Sequence, residues 1–217
     1  MDQKLLFLIN REWTGPALDR FMAFMSSLPA WMPILVPACL WLLWRGGFRA
    51  RAFLLTVGLV VAISDGIVAK TMKRVIDRPR PHQVLDGVRQ VDLAKATPRL
   101  LALAKPAKVK LSEAAGDIEK IEGRSFPSGH TMNMISAALV TAFFFPRYGW
   151  LAFGLALLVG YSRVYVGSHW PSDVVTSIFL GLGLTLFLLA TFELLWRWQA
   201  ARFYPRLYAA HPSLFAP

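Results

Sequence analysis

The chain has 217 residues, of which 55% are hydrophobic and only 17% charged, with a formal net charge of +11. That length suits one domain, and a charged fraction below the soluble average of roughly 25% argues against an ordinary soluble protein and for one that crosses a bilayer several times. The single cysteine, Cys39, excludes an intramolecular disulfide and a cysteine-based metal site. The basic residues lie in loops without a nucleic-acid-binding motif, so they are assigned to anionic headgroups or an anionic substrate, not to DNA or RNA.

The segment from Met1 to Ile9 is too short in its apolar part for a signal peptide. It reads as an amphipathic helix at the membrane interface. Five apolar spans follow. The first runs from about Phe21 to Trp44, where Pro29, Pro33 and Pro37 predict a kink. The second runs from about Ala52 to Ala69 and contains Asp65, which is expected to pair with Lys70 or with an arginine of the site. The third follows His130 and ends near Phe145, the fourth runs from Trp150 to Val166, and the fifth from Val174 to Trp196. Trp31, Trp44, Trp150, Trp170 and Trp196 fall near span ends, as interfacial aromatics do.

The expected fold is all-α: a multi-pass transmembrane helical bundle of about five spans plus the N-terminal interfacial helix. It forms a single domain over residues 1–217, with 83–124 as an extramembrane insertion between spans 2 and 3. That insertion is basic from Arg89 to Lys110 and acidic at Glu113, Asp117, Glu119 and Glu122. A solvated helix pair is expected there, with a lid or headgroup platform as the functional alternative.

Five spans place the N-terminus, the insertion and the Ser168–His169 turn on one face. Lys73, Arg80, His130, Arg163 and His169 then share a surface. The short connections and the C-terminal tail, with Arg45, Arg49, Arg51, Arg147, Arg197, Arg202 and Arg206, lie on the other. The expected location is a cell (inner) membrane with the motif face extracytoplasmic, because long loops translocate despite their charge.

Three clusters carry chemistry. Lys73-Arg-Val-Ile-Asp-Arg-Pro-Arg80-Pro81 is a basic interfacial run. Ser125-Phe-Pro-Ser128-Gly129-His130 precedes span 3. Ser128 suits an N-cap, Gly129 allows close backbone approach, and the free N–H groups of a helix start favour an anion. The third cluster runs from Ser162 to Asp173. Its Arg163 interrupts an apolar span, where an arginine costs roughly 2.5–3.5 kcal/mol and is usually retained for a partner or substrate. His169 and Asp173 are four residues apart, with Pro171 suited to the first turn of span 5. Asp173 is thereby expected to reach back to the Nδ1–H of His169.

In order, the clusters have the form Lys-x6-Arg-Pro, Pro-Ser-Gly-His and Ser-Arg-x5-His-x3-Asp. This resembles the type 2 phosphatidic acid phosphatase (PAP2) superfamily, which includes membrane lipid phosphatases and the vanadium haloperoxidases. The resemblance covers Lys73–Asp173 by motif and the five spans by topology.

The resemblance implies that His169 is a nucleophile forming a phosphohistidine through Nε2. Asp173 would orient it and stabilise the imidazolium. His130 would be the general acid for the departing oxygen. Lys73, Arg80 and Arg163, with Ser128 and the Gly129 N–H, would bind the phosphoryl oxygens. No His, Asp or Glu cluster has metal-ligand spacing, so neither metal nor cofactor is expected and the three cations stand in for one.

The expected partners are the bilayer and a lipid phosphate: phosphatidic acid, phosphatidylglycerol phosphate, an undecaprenyl (di)phosphate or a lipid A phosphate. The undecaprenyl-diphosphate subgroup often has Asp where this chain has Gly129, which weakens that choice. A lipid phosphotransferase of the same fold and a non-enzymatic anionic-lipid binder are the alternatives. The sequence leaves the oligomeric state open.

Overall fold

Proline and glycine divide the apolar runs into helices. The computed structural model describes residues 1–114 and 124–215, and the fold is 74% helical. Helix α1 (Asp2–Phe7) continues through a π-helical turn at Leu8–Glu12. Leu6 and Ile9 are buried, so this segment is docked against the bundle by one face. Helices α2 (Pro16–Met25) and α3 (Leu28–Arg45) replace the single first span expected over Phe21–Trp44. Pro29 lies in the first turn of α3, where its ring is accommodated, whereas Pro33 and Pro37 are carried inside the helix.

Helix α4 (Phe48–Ile63) passes through a π-helical turn at Ser64–Ala69 into α5 (Lys70–Ile76). The second span therefore extends beyond Ala69. Asp65 sits in the π-turn and Lys73 in the last turn of α5. Helix α6 (Pro81–Val84) is short. Helices α7 (Gly129–Phe144), α8 (Pro146–Tyr165), α9 (Pro171–Phe203) and α10 (Pro205–Ala210) complete the order.

Helix α7 is the axis, packed against α4, α8 and α9. Its Met132, Ile135, Ala138, Val140 and Phe144 are buried. Small residues let its neighbours close in: a Cβ at Gly181 of α9 would lie 3.0 Å from the Met132 carbonyl oxygen. Helix α3 is the opposite case. Only its Ala30 is buried, and Ile34, Leu35, Val36, Leu40 and Trp41 face outward. An apolar surface of that extent suits lipid, not water.

By length and composition, Leu28–Arg45, the run Phe48–Val84 and Pro171–Phe203 are each able to cross a membrane. The other two expected spans correspond to α7, with 16 residues, and α8, with 20.

The insertion is not the expected helix pair. Strand β1 (Arg89–Asp92) pairs antiparallel with β2 (Lys108–Leu111), Arg89 opposite Leu111 and Asp92 opposite Lys108. A 3-10 turn, Arg99–Ala104, lies between them. Pro98 and Pro106 bar a continuous helix. Val88, Val91, Leu93 and Ala102 are buried with Leu6, Met22 and Tyr165 in one cluster, so the hairpin is anchored as a wall of the bundle. Asp117, Glu119 and Glu122 of the acidic run lie outside the described residues.

Candidate active site

Three segments converge at one end of the bundle: the link after α5, the approach to α7 and the turn between α8 and α9. Hydrogen bonds join them directly. Ser125 N–H donates to the Arg78 carbonyl at 2.7 Å. Trp170 Nε1–H donates to the Pro79 carbonyl at 3.0 Å. His82 Nδ1–H donates to the Gly167 carbonyl at 3.0 Å. Gly167 has φ +73°, and a Cβ there would lie 2.6 Å from the Arg89 carbonyl oxygen. Both the conformation and the approach require glycine.

His169, in that turn, is 3% exposed. Its Nδ1 lies 2.6 Å from the Ser125 carbonyl oxygen. A carbonyl only accepts, so Nδ1 carries the proton and Nε2 keeps the lone pair. The expected contact between Nδ1–H and Asp173 is not made: Asp173 Oδ2 is 3.9 Å away. The capping geometry of α9 explains this. Asp173 occupies its third position and turns back to accept the Trp170 N–H at 3.0 Å. It also accepts the Ser125 hydroxyl and, at 2.7 Å, Arg78 Nη1. Asp173 thus holds the residue that holds His169. Burial pushes the His169 imidazole down to about 4, with the charges of Arg163 and Arg80 adding to the effect and Asp173 opposing it.

Arg80 and Arg163 line a cavity of about 340 Å³ together with His130, Ser168, Asp92 and Arg99. Arg163 donates to Ser26 through Nη1, which orients the guanidinium. The Nε atoms of both Arg80 and Arg163 are buried without a hydrogen-bond partner among the described residues. Buried donors of this kind suit an anionic acceptor. His130 interacts electrostatically with Arg163, His169, Lys73 and Arg80, so the residues expected to meet do share one neighbourhood. His130 also borders a second, apolar cavity of about 130 Å³ formed by Leu28, Trp31, Leu35, Met134, Leu155 and others.

Ser128 caps α7 by position, but its hydroxyl meets Thr131 Oγ1 at 2.9 Å and its N–H donates to Ser177 Oγ at 2.8 Å. Its hydrogen bonds therefore run within the protein. Gly129 abuts Asp65: a Cβ at 129 would lie 2.9 Å from Asp65 Oδ1. Lys73 interacts with Asp65, Arg80 and Arg163. The ion pair expected between Asp65 and Lys70 or an arginine is not formed among the described residues. Nor do three His, Cys, Asp or Glu side chains gather there as a metal site. A larger groove of about 660 Å³ at the far end, between α4 and α9, is lined mostly by apolar residues and contains no histidine.

The arrangement is a histidine with a fixed tautomer, a second histidine and several cations, built on segments that carry the three motifs. A model of the PAP2 superfamily matches residues 49–198, well over half the chain. The chain belongs to the PAP2 superfamily. It is a PAP2-type hydrolase.

Among its PAP2 relatives, the lipid A 4'-phosphatase of Porphyromonas gingivalis is 27% identical over 183 residues, covering 83% of this chain and 68% of that protein. Phosphatidylglycerophosphatase B of Escherichia coli is 30% identical over 160 residues, 66% of this chain and 63% of the other. An undecaprenyl-diphosphatase of Sulfolobus acidocaldarius is 44% identical over 59 residues, only 28% of its length. Two solved structures share the fold. LpxE of Aquifex aeolicus matches with TM-score 0.59 and 23% identity over 87% of this chain and 94% of that one. A PAP2-type phosphatidylglycerolphosphate phosphatase of Bacillus subtilis matches with TM-score 0.50 and 24% identity over 88% and 82%.

Several residues around this candidate site have no role in the sequence reading. Arg78 pairs with Asp173 and with Asp2, each at 2.7 Å, so it ties the N-terminal helix to the site. Its place in the basic run Lys73–Pro81 marked it as a cation without distinguishing it from its neighbours. Ser125 opens the second cluster, but nothing in its spacing signals two roles. The fully buried Asn10 bridges β1 to the end of α8, donating to the Arg89 and Tyr165 carbonyls at 2.8 and 2.6 Å. Arg89 and the Tyr165 hydroxyl both bond to Asp19.

Proposed function

We propose that this chain is an integral membrane lipid phosphatase that works through a phosphohistidine on His169. The observation that carries the reading is the bond from His169 Nδ1–H to the Ser125 carbonyl. It leaves Nε2 as the basic nitrogen beside buried guanidinium groups. Nε2 attacks phosphorus, the bond from phosphorus to the lipid oxygen breaks, and His130 gives that oxygen a proton. Water then attacks the phosphohistidine, His130 takes the water's proton, and the N–P bond breaks to release phosphate. Arg80, Arg163 and Lys73 hold the charge on the phosphoryl oxygens throughout, the task a metal performs in other phosphoryl-transfer sites.

The substrate is an amphiphile. His130 stands between a cationic cavity and an apolar one, which suits a headgroup on one side and a chain on the other. Five helices cross the membrane in this reading: α3, α4 with α5, α7, α8 and α9. Helix α7 is sheltered by its neighbours and tolerates polar residues for that reason, while α8 turns Trp150, Leu151 and Leu157 outward. The arginine-rich short connections lie in the cytoplasm and the site faces out from the inner membrane.

Inorganic phosphate release tests the reading. The purified protein in mixed micelles is given phosphatidic acid, phosphatidylglycerol phosphate, lipid A and undecaprenyl diphosphate. Release is expected from at least one lipid, with a chelator present, and is abolished by His169→Ala. Phosphate transfer to another lipid without release, or full turnover by His169→Ala, overturns it.

A further inference from the structure

The cavity beside His130 contains a group that phosphate binding does not explain. Asp92, at the end of β1, lines the same space as Arg80, Arg99 and Arg163. It is close enough to Arg163 and His82 to act on both electrostatically. Asp92 is an exposed residue at the cavity's edge, and its carboxylate has no hydrogen bond and no ion pair among the described residues, although Lys108 is its cross-strand neighbour. A carboxylate here opposes the binding of a phosphate. It offers instead an acceptor for hydrogen-bond donors on whatever the phosphate is attached to.

The position of Asp92 is set by the fold. Arg99 donates to the Ala94 and Leu93 carbonyls at 3.2 and 3.3 Å, which pins the chain just after Asp92. Three residues earlier, Arg89 is fixed by Asn10 and Asp19. The cavity, at about 340 Å³, falls in the range of roughly 300–1,000 Å³ typical of small-molecule sites and is larger than a phosphoryl group needs. Its lining combines the cations Arg80, Arg99 and Arg163 with a carboxylate that the hairpin supplies near Arg163.

We propose that Asp92 is a specificity-determining residue that accepts hydrogen bonds from hydroxyl groups of the substrate's headgroup. The preferred substrate is then a lipid phosphate whose phosphate is carried on a hydroxyl-bearing sugar or glycerol, not on a fully acylated glycerol or a polyprenyl chain. This rests on the phosphatase reading above and adds the substrate class.

The test compares kcat/KM for lipid A, phosphatidylglycerol phosphate and phosphatidic acid in the same mixed micelles, for the wild type and for Asp92→Asn. The wild type is expected to favour at least one of the two hydroxyl-bearing lipids over phosphatidic acid. The better of the two distinguishes a sugar from a glycerol. Asp92→Asn should reduce that preference by about tenfold or more, the size of a hydrogen bond to a charged group. Thermal unfolding checks that the variant is folded. A preference unchanged in Asp92→Asn, with all three lipids affected by one factor, overturns the proposal and makes Asp92 a general modulator of the local field. No preference in the wild type also overturns it. Absence of phosphate release from every lipid removes the phosphatase reading itself, and the proposal with it.

Discussion

His169 and Asp173 are 3.9 Å apart at their nearest polar atoms, and Ser125 joins them: its carbonyl accepts the imidazole proton and its hydroxyl donates to the carboxylate. The carboxylate therefore acts on the ring at one remove. Where a carboxylate holds a histidine directly, replacing it by its amide costs about 10⁴ in kcat because the tautomer is lost. Here the backbone carbonyl of Ser125 fixes the tautomer whatever stands at 173. Asp173→Asn is accordingly expected to lower kcat by only about 10²-fold, and Ser125→Ala by roughly tenfold, with KM little changed. Steady-state phosphate release from a lipid phosphate measures both. A 10⁴-fold loss in Asp173→Asn would place the carboxylate on the ring during turnover.

The protonation of His169 gives a prediction with a definite sign. Its folded-state value of about 4 lies below the ordinary value of 6.5, so the ring is neutral above about pH 4 and cationic below it. In the role proposed for it, His169 is thus in its reactive, neutral form across about pH 5 to 8. Nitrogen NMR of the imidazoles in labelled protein should show His169 as the Nδ1–H tautomer at pH 5.5. By linkage, the unfolded chain binds more protons between roughly pH 6.5 and 4, so stability should fall as pH is lowered through that window. A His169 signal that is cationic at pH 6 contradicts the assignment.

The role given to His130 is tested through the leaving group. Protonation matters most when the departing alkoxide is poor, and contributes roughly 10²–10⁴-fold there. His130→Ala should therefore lose far more on an alkyl lipid phosphate than on a nitrophenyl phosphate. Equal losses on the two substrates would exclude it as the general acid.

Gly167 is the most restricted position near the site. A side chain there meets both a left-handed backbone and the Arg89 carbonyl at 2.6 Å. Gly167→Ala should cost at least about 1–3 kcal/mol of stability. It should also lower kcat by disturbing the turn that presents His169. Thermal unfolding in detergent, together with the phosphate-release rate, reports both effects. An unchanged midpoint would show that the hairpin can move away from the turn.

The candidate site was legible in the sequence to the extent that it is built from residues of unusual cost or spacing. Arg163 inside an apolar run, and His130 beside a helix-starting Ser-Gly, are visible because an oily chain rarely has them there without a use. The bonds that arrange them were less visible. Ser125 acts through its backbone carbonyl, which every residue has, and Arg78 is one cation among several in its run. The hairpin was hidden for a different reason. Its strands are four residues each, and Arg89, Lys108 and Lys110 mask the pairing of Val91 with Val109. The break between α2 and α3 lies just before Pro29, but three prolines in one run do not say which of them stands at a helix start.

Asp2 receives Arg78 Nη2 at 2.7 Å, the Ser172 N–H at 2.9 Å and the Ser172 hydroxyl at 2.5 Å. Asp2 is thus joined to partners 76 and 170 positions further along the chain. Contacts of such sequence separation are the slow ones to form. The candidate site is therefore stitched together late in folding, when the start of α9 meets Arg78 and Asp2.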